Sequence, residues 1–347
     1  MSQYIQANNR TDHRATSNPT RFGSLLLSFM LTISCADSFA DIEDFAYLRQ
    51  EPITPIPTVV DADLEKAAIG ELLFYDTRLS RNKALACATC HRLESGGDDD
   101  VSLGRSHSAD THTVNTPTVF NAVFNFRQHW DGAIETSEQL VEHTIVNQHE
   151  FNNSWDKVIT TLSGDETLRQ MFEDEYDEGM TRETIVDAIV EFQKTLVTPN
   201  SRFDRFLRNE TDALSEDELK GYRLFKESGC ASCHQGVNIG GNLFQKFGVF
   251  YDYLAERGDM RTADFGRMNV TNRYIDEFVF KVPSLRNIEV TAPYLHDGSA
   301  ETLEEVITIM GKTQLGRELD DEEVQMIKSF LLTLTGEYKG VKLGGDS

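Results

Sequence analysis

The tightest constraint on this chain is a five-residue string, Cys87-Ala88-Thr89-Cys90-His91, which recurs as Cys230-Ala231-Ser232-Cys233-His234. Two thiols three positions apart, followed at once by an imidazole, match the attachment of one haem: both cysteines add to its vinyl groups and the histidine ligates its iron. A zinc site would need further ligands grouped nearby. A dithiol redox pair has no use for a histidine directly after the second cysteine. Two copies therefore predict two covalently bound c-type haems. With 347 residues the chain is long enough to give each haem its own domain. Of the five cysteines only Cys35 lies outside the motifs, so no thiol pair is left for a disulfide.

Where Cys35 lies bears on location. Arg10, Arg14 and Arg21 precede an apolar run from Phe22 to Ile33 that is too short to span a bilayer, and Ser38-Phe39-Ala40 offers a signal peptidase its small residues. The reading is a secretory signal over residues 1–40, with an uncleaved anchor as its competitor. Cys35 as a lipid-attachment site is disfavoured by Thr32, which stands where a larger aliphatic residue is usual. Covalent haem attachment takes place outside the bacterial cytoplasm, so export and the motifs agree on the periplasm, with no membrane span after processing. The net charge of -24 is spread without a basic patch, which argues against nucleic acid as a partner. Acidic surface serves solubility, and near a haem edge it would steer a basic electron donor.

The remaining pattern is mainly α, with few short strands. After a Pro-rich linker (residues 41–60), helical spacing runs from Asp63 to Tyr75, Thr136 to Thr144, Trp155 to Leu162, Arg182 to Val197, Ser215 to Lys226, Glu301 to Met310 and Asp321 to Leu334. Phe247 to Tyr253 and Phe278 to Val282 read as the strands. Gly70-x-x-Leu73-Phe74 before the first haem motif matches Gly221-x-x-Leu224-Phe225 before the second, and Gly96-Gly97 and Gly240-Gly241 follow them. Pro117, Asn121, Asp131, Gly132, Glu135, Thr136 and Glu138 recur without a gap as Pro283, Asn287, Asp297, Gly298, Glu301, Thr302 and Glu304. Two cytochrome c-like haem domains related by internal duplication are expected, over residues 61–200 and 201–347.

Differences between the copies bear on function. A ligand opposite the motif histidine makes an electron carrier, and an open position makes a catalyst. Met310 lies where a c-type domain presents its thioether, with ordinary helix core as the alternative. The same register puts Thr144 in the first half, so that iron is open or ligated from elsewhere, with His107, His112, His129, His143 and His149 available. Trp130 stands where the second half has His296; it is either a relay between haems or a buried structural ring. Gln139 and Glu150 lie on and after the helix expected to cover the first haem. A carboxylate there could move a proton between the two oxygens of a peroxide. Glu138 and Glu142 are equally placed by composition.

Taken together, these segments resemble the bacterial di-haem cytochrome c peroxidases from about Glu65 to Gly336. The likeness is carried by both haem motifs, Asn115-Thr-Pro-Thr-Val-Phe-Asn121, Trp130-Asp-Gly132, Glu138-Gln139, Val282-Pro-Ser-Leu-Arg-Asn287 and Thr291-Ala-Pro-Tyr-Leu-His-Asp-Gly298. The resemblance implies reduction of hydrogen peroxide with electrons from a small c-type cytochrome or cupredoxin. His91 would ligate a low-potential peroxidatic haem with His107 as its removable ligand, and His234 with Met310 would hold a high-potential haem. It further implies Trp130 between the haems, Gln139 and Glu150 in the distal pocket, and calcium on Asn115, Thr291 and Pro293, the last two through carbonyls. Homodimers are common in such a family. Many members place the removable histidine directly after a Ser-x-Gly turn, whereas here Arg105-Ser106 intervenes, and His112 is the fallback. Two rivals are a relative that oxidises tryptophans in a partner protein, with a tyrosine in place of Met310, and a di-haem carrier without catalysis.

Overall fold

The structure, a computed structural model, describes residues 53–104 and 114–344; the expected signal sequence, Cys35, His107 and His112 lie outside them. Its longer helices are α1 (Leu64–Phe74), α2 (Ser137–Val146), α3 (Trp155–Leu162), α4 (Glu166–Glu175), α5 (Arg182–Thr195), α6 (Arg202–Leu207), α7 (Glu216–Glu227), α8 (Leu303–Gln314) and α9 (Asp321–Leu331). Their starts follow from capping chemistry. Asp63, Thr136, Thr181, Ser215, Thr302 and Asp320 each accept a hydrogen bond from a backbone N–H in the first turn. Thr136 and Thr302, paired in the sequence repeat, thus do the same work for α2 and α8.

Each half is framed by one close helix crossing. In the first, α1 packs on α5 so tightly that a Cβ added to Gly70 would lie 1.9 Å from the Ala188 carbonyl oxygen. In the second, α7 packs on α9, and a Cβ on Gly221 would lie 2.0 Å from the Met326 carbonyl oxygen. Only glycine admits that approach. One turn further on, Phe74 meets Phe192 with ring centroids 5.3 Å apart, and Phe225 meets Phe330 at 5.2 Å. Around the first crossing Ile69, Leu73, Val158, Leu162, Phe172, Ile185 and Ile189 are buried together, each side chain stabilising by about 1.5–3 kcal/mol. Around the second, Phe203, Tyr222 and Phe330 pack with centroids 4.8 to 5.1 Å apart.

Polar groups join the halves. Asn121 and Asn287, both buried, adopt left-handed backbone (φ 60° and 61°), which asparagine tolerates better than most residues. Asn121 accepts from Thr198 N at 2.9 Å, and both asparagines bring Nδ2 to the Thr198 hydroxyl, at 2.7 and 2.9 Å. Arg286 is buried against Asp204 at 2.8 Å and also donates to Thr54 O at 3.0 Å. The end of the expected linker is therefore docked: Ile53 and Ile56 are buried, and Ile56 N donates to Asp204 Oδ1 at 3.1 Å.

Some elements differ from expectation. The strand expected over 247–253 lies earlier, as β1 (Phe244–Lys246), antiparallel to β2 (Val279–Lys281) with Phe244 opposite Lys281. Gly248 turns away at φ 83°, and Tyr253–Arg257 is a short helix. A short hairpin, β3 (Glu337–Tyr338) and β4 (Val341–Lys342), follows α9. Helix α8 continues beyond Met310 to Gln314, whereas α9 tightens into a 3₁₀ turn after Leu331. Helices α4 and α6 lie outside the helical spacing read from the sequence: α4 carries four acidic residues in ten, and α6 has only six residues. No helix among the described residues is long and apolar enough to cross a membrane.

Candidate haem centres

Two cavities open within the fold, and each contains one motif. Cys87, Cys90 and His91 line the first, of about 820 Å³; Cys230, Cys233 and His234 line the second, of about 530 Å³. The first motif is a single helical turn in which His91 N donates to Cys87 O at 2.9 Å. The second is a 3₁₀ turn launched by Gly229 at φ 95°, with His234 N bonded to Cys230 O at 3.0 Å. One turn of helix is what brings both sulfurs and the imidazole to one wall.

Each imidazole is fixed through its far nitrogen. His91 Nδ1 lies 3.1 Å from Gly97 O, and His234 Nδ1 lies 3.2 Å from Ile239 O. A carbonyl partner holds the proton on Nδ1 and leaves the Nε2 lone pair for a metal. Burial lowers the His91 pKa and takes that of His234 down to about 4, so both rings are neutral, as ligation requires. Burial also pushes the Cys87 thiol up to about 12 and the Cys230 thiol to about 11. Thiols held in that form suit covalent attachment and oppose thiolate redox chemistry. These donors and cavity sizes fit two haems.

Beyond the motifs the cavities part company. Met310 lines the second together with Leu295, Leu303, Val306, Ile307 and Ile327. Thr144 lines the first, in company with His129, His143, Asn147, His149 and Glu150. Asn147 Nδ2 lies 3.0 Å from His143 Nε2 and 2.9 Å from Glu150 Oε1. His129 stands edge-on to His143, ring centroids 5.7 Å apart, from a left-handed backbone position (φ 66°). Burial lowers the His129 pKa, keeping this ring neutral too.

The expected distal pair is not brought together. Glu150 borders the cavity, but Gln139 is exposed on the first turn of α2, where its Oε1 accepts from Glu135 N at 3.2 Å. Helix capping has claimed that amide. Glu138 is exposed as well, and Glu142 pairs with Arg182. The sequence treats His129 and His143 only as spare iron ligands and misses Asn147. Aligning the halves offered a usable sign, because these three positions are Leu295, Ile309 and Thr313 in the second half.

Trp130 borders both cavities. Its Nε1 donates to Asn115 O at 2.9 Å, and its ring lies 6.4 Å from that of His296. His296 bonds Asp264 at 2.7 Å, and Arg257 holds both Asp264 and Asp297. Burial alone would raise the Asp264 pKa, but the guanidinium and the imidazole hold it below the usual carboxylate range. Asn115, Thr291 and Pro293 all border the second cavity. Asn115 uses its Nδ2 on Val101 O at 3.0 Å, and the Thr291 and Pro293 carbonyls accept no backbone hydrogen bond among the described residues. Three uncharged oxygens suit a hard cation that completes its shell with water.

Comparison with known proteins gives a consistent outcome. Residues 64–212 match the family model described as di-haem cytochrome c peroxidase. The chain is 40% identical over 304 residues to the cytochrome c peroxidase Ccp of Escherichia coli (strain K12), covering 87% of this chain and 65% of that protein, just under two thirds of its length. It is 39% identical over 315 residues to the cytochrome c551 peroxidase of Nitrosomonas europaea, covering 90% of this chain and 92% of the relative. Among solved structures, a MauG-like protein associated with microbial copper homeostasis superposes with a TM-score of 0.73 at 27% identity, over 82% of this chain and 93% of the other.

Proposed function

The chain belongs to the di-haem cytochrome c peroxidases, a family of oxidoreductases, and from that premise we propose that it reduces hydrogen peroxide to water in the periplasm, drawing electrons from a small c-type cytochrome or cupredoxin. The observation that carries this reading is the inequality of the cavities: Met310 is among the lining of the second, whereas Thr144 at the matching place in the first lies among His129, His143, Asn147 and Glu150. Bound haems supply one-electron redox chemistry and, in the first cavity, an iron to which peroxide can bind. The protein does the rest.

In this proposal Cys87, Cys90 and His91 hold the first haem, and Cys230, Cys233, His234 and Met310 hold the second. Sulfur supplied by Met310 would raise the potential of the haem held there, which would suit that site to receiving electrons. Trp130 relays them across the boundary that it shares with both cavities. His107 is the removable ligand on the first side. Glu150 accepts a proton from the near oxygen of peroxide and returns it to the far one, the exchange that heterolysis of the O–O bond requires. Gln139 has no part while it caps α2. Calcium is held by Asn115, Thr291 and Pro293, at the junction of two duplicated haem domains, 61–200 and 201–347, behind a signal of residues 1–40. Met310, rather than a tyrosine, speaks against oxidation of tryptophans in a partner.

Half-reducing the holoenzyme in the presence of calcium tests this. A high-spin signal from one haem is expected, because the site must open to peroxide. Low-spin spectra at both irons would instead identify a permanently ligated electron carrier and overturn the assignment.

A further inference from the structure

Reduction of peroxide takes up protons as well as electrons, H2O2 + 2 H+ + 2 e− → 2 H2O, and the two halves of that demand fall at different moments. During O–O cleavage Glu150 takes a proton from the near oxygen and gives it to the far one, which leaves as the first water. No net proton is taken in. The other oxygen leaves as the second water only after two electrons have come from the donor and two protons from solvent.

Those protons need a way in, and His143 has the right placement. It lines the first cavity, yet its side chain is 41% exposed. Its Nε2 lies 4.0 Å from Glu150 Oε1. Asn147 bridges the two, its Nδ2 within hydrogen-bond distance of both acceptors, while its Oδ1 is occupied by His149 N at 3.0 Å. That second bond stops the amide from turning over. With Oδ1 so occupied, Asn147 offers no acceptor to a proton on Nε2, and Glu150 Oε1, 4.0 Å away, is within reach of it through one solvent water.

The surroundings of His143 favour transfer inward. His129 faces it edge-on as a neutral ring, and the carboxylates that line the same cavity are Glu150 and Asp131. On its own helix, Glu142 is tied to Arg182. His149 follows on the next turn, and His91 stands on the haem-motif wall.

We propose that His143 is the proton inlet of the first cavity, passing solvent protons to Glu150 while Asn147 holds the pair in register. It is a positioning residue that acts through Glu150, and the proposal rests on the role given to Glu150 above.

The test uses the holoenzyme with His143→Gln and His143→Ala, both checked for native haem spectra. Mixing the half-reduced enzyme with one equivalent of peroxide reads the cleavage step, and steady-state turnover reads the full cycle. Cleavage is expected at the native rate, with turnover lowered on the order of tenfold or more. Added imidazole restores turnover in His143→Ala. Infrared difference spectra supply a readout apart from activity: after a rapid drop in solvent pH, the rise of the Glu150 carboxylic acid C=O band is slowed on the order of tenfold in His143→Gln.

Native turnover in both variants, or equal loss in both phases without imidazole rescue, would overturn the inlet. So would a carboxyl band that rises at the native rate. Glu150→Gln separates the two ideas: cleavage at the native rate in that variant removes Glu150 from the chemistry, whatever His143 does.

Discussion

In the first half of the chain Gly70 lets α1 touch α5, Asn121 turns left-handed and Thr136 caps the helix that covers the cavity; in the second, Gly221, Asn287 and Thr302 do the same at α7, after β2 and at α8. Position by position, however, the cavity side of those covering helices diverges. Thr144 in the first half stands where Met310 stands in the second, and His143, which lines the first cavity, matches Ile309, which is not among the lining of the second. Small residues, caps and turn formers set where the backbone goes. In the proposed assignment a few lining side chains then decide whether an iron would be closed by sulfur or left to polar chemistry.

The sharpest break in that comparison is expected at Glu150. Glu150→Gln keeps the shape and removes the base, and peroxide turnover is expected to fall by about 10²–10⁴-fold with both haem spectra unchanged. Native turnover would mean that the polar cluster is not what makes the first cavity different.

A structural difference ranks next. Arg286 and Phe120 occupy matching places, both buried, but Arg286 answers Asp204 across 2.8 Å. Arg286→Met leaves that carboxylate buried and unpaired, at a cost of about 3–5 kcal/mol in denaturant unfolding. A loss below about 1 kcal/mol would show that the pair is dispensable.

The smallest effect probes likeness instead of difference. Gly70→Ala and Gly221→Ala each force a methyl against a carbonyl and are expected to lose about 1–3 kcal/mol apiece in thermal or denaturant unfolding. Clearly unequal losses would mean that the two crossings are alike only in outline.

Local chemistry made much of this legible in the sequence. The haem motifs, the capping residues and the Gly-x-x-Leu-Phe strings each act within a few positions, so their consequences can be read directly. Trp155–Leu162 was placed to the residue for the same reason. What could not be read depends on which way a side chain turns once its helix is placed, or on neighbours distant in the chain. Gln139 looked like a pocket residue until the bond from Glu135 N turned it to the helix start. Nothing in the sequence marks Asn147, which the fold sets between His143 and Glu150. The docking of Ile56 on Asp204 joins positions so far apart that no window over the chain would show it.

Axial ligation of the second iron is the most direct test of the whole account. Removing the thioether with Met310→Leu should abolish the sulfur–iron signature in the holoenzyme and leave the spectrum of the first haem as it was. Persistence of that signature in the variant, or its appearance on the haem held by His91, would contradict the division of labour between the two cavities.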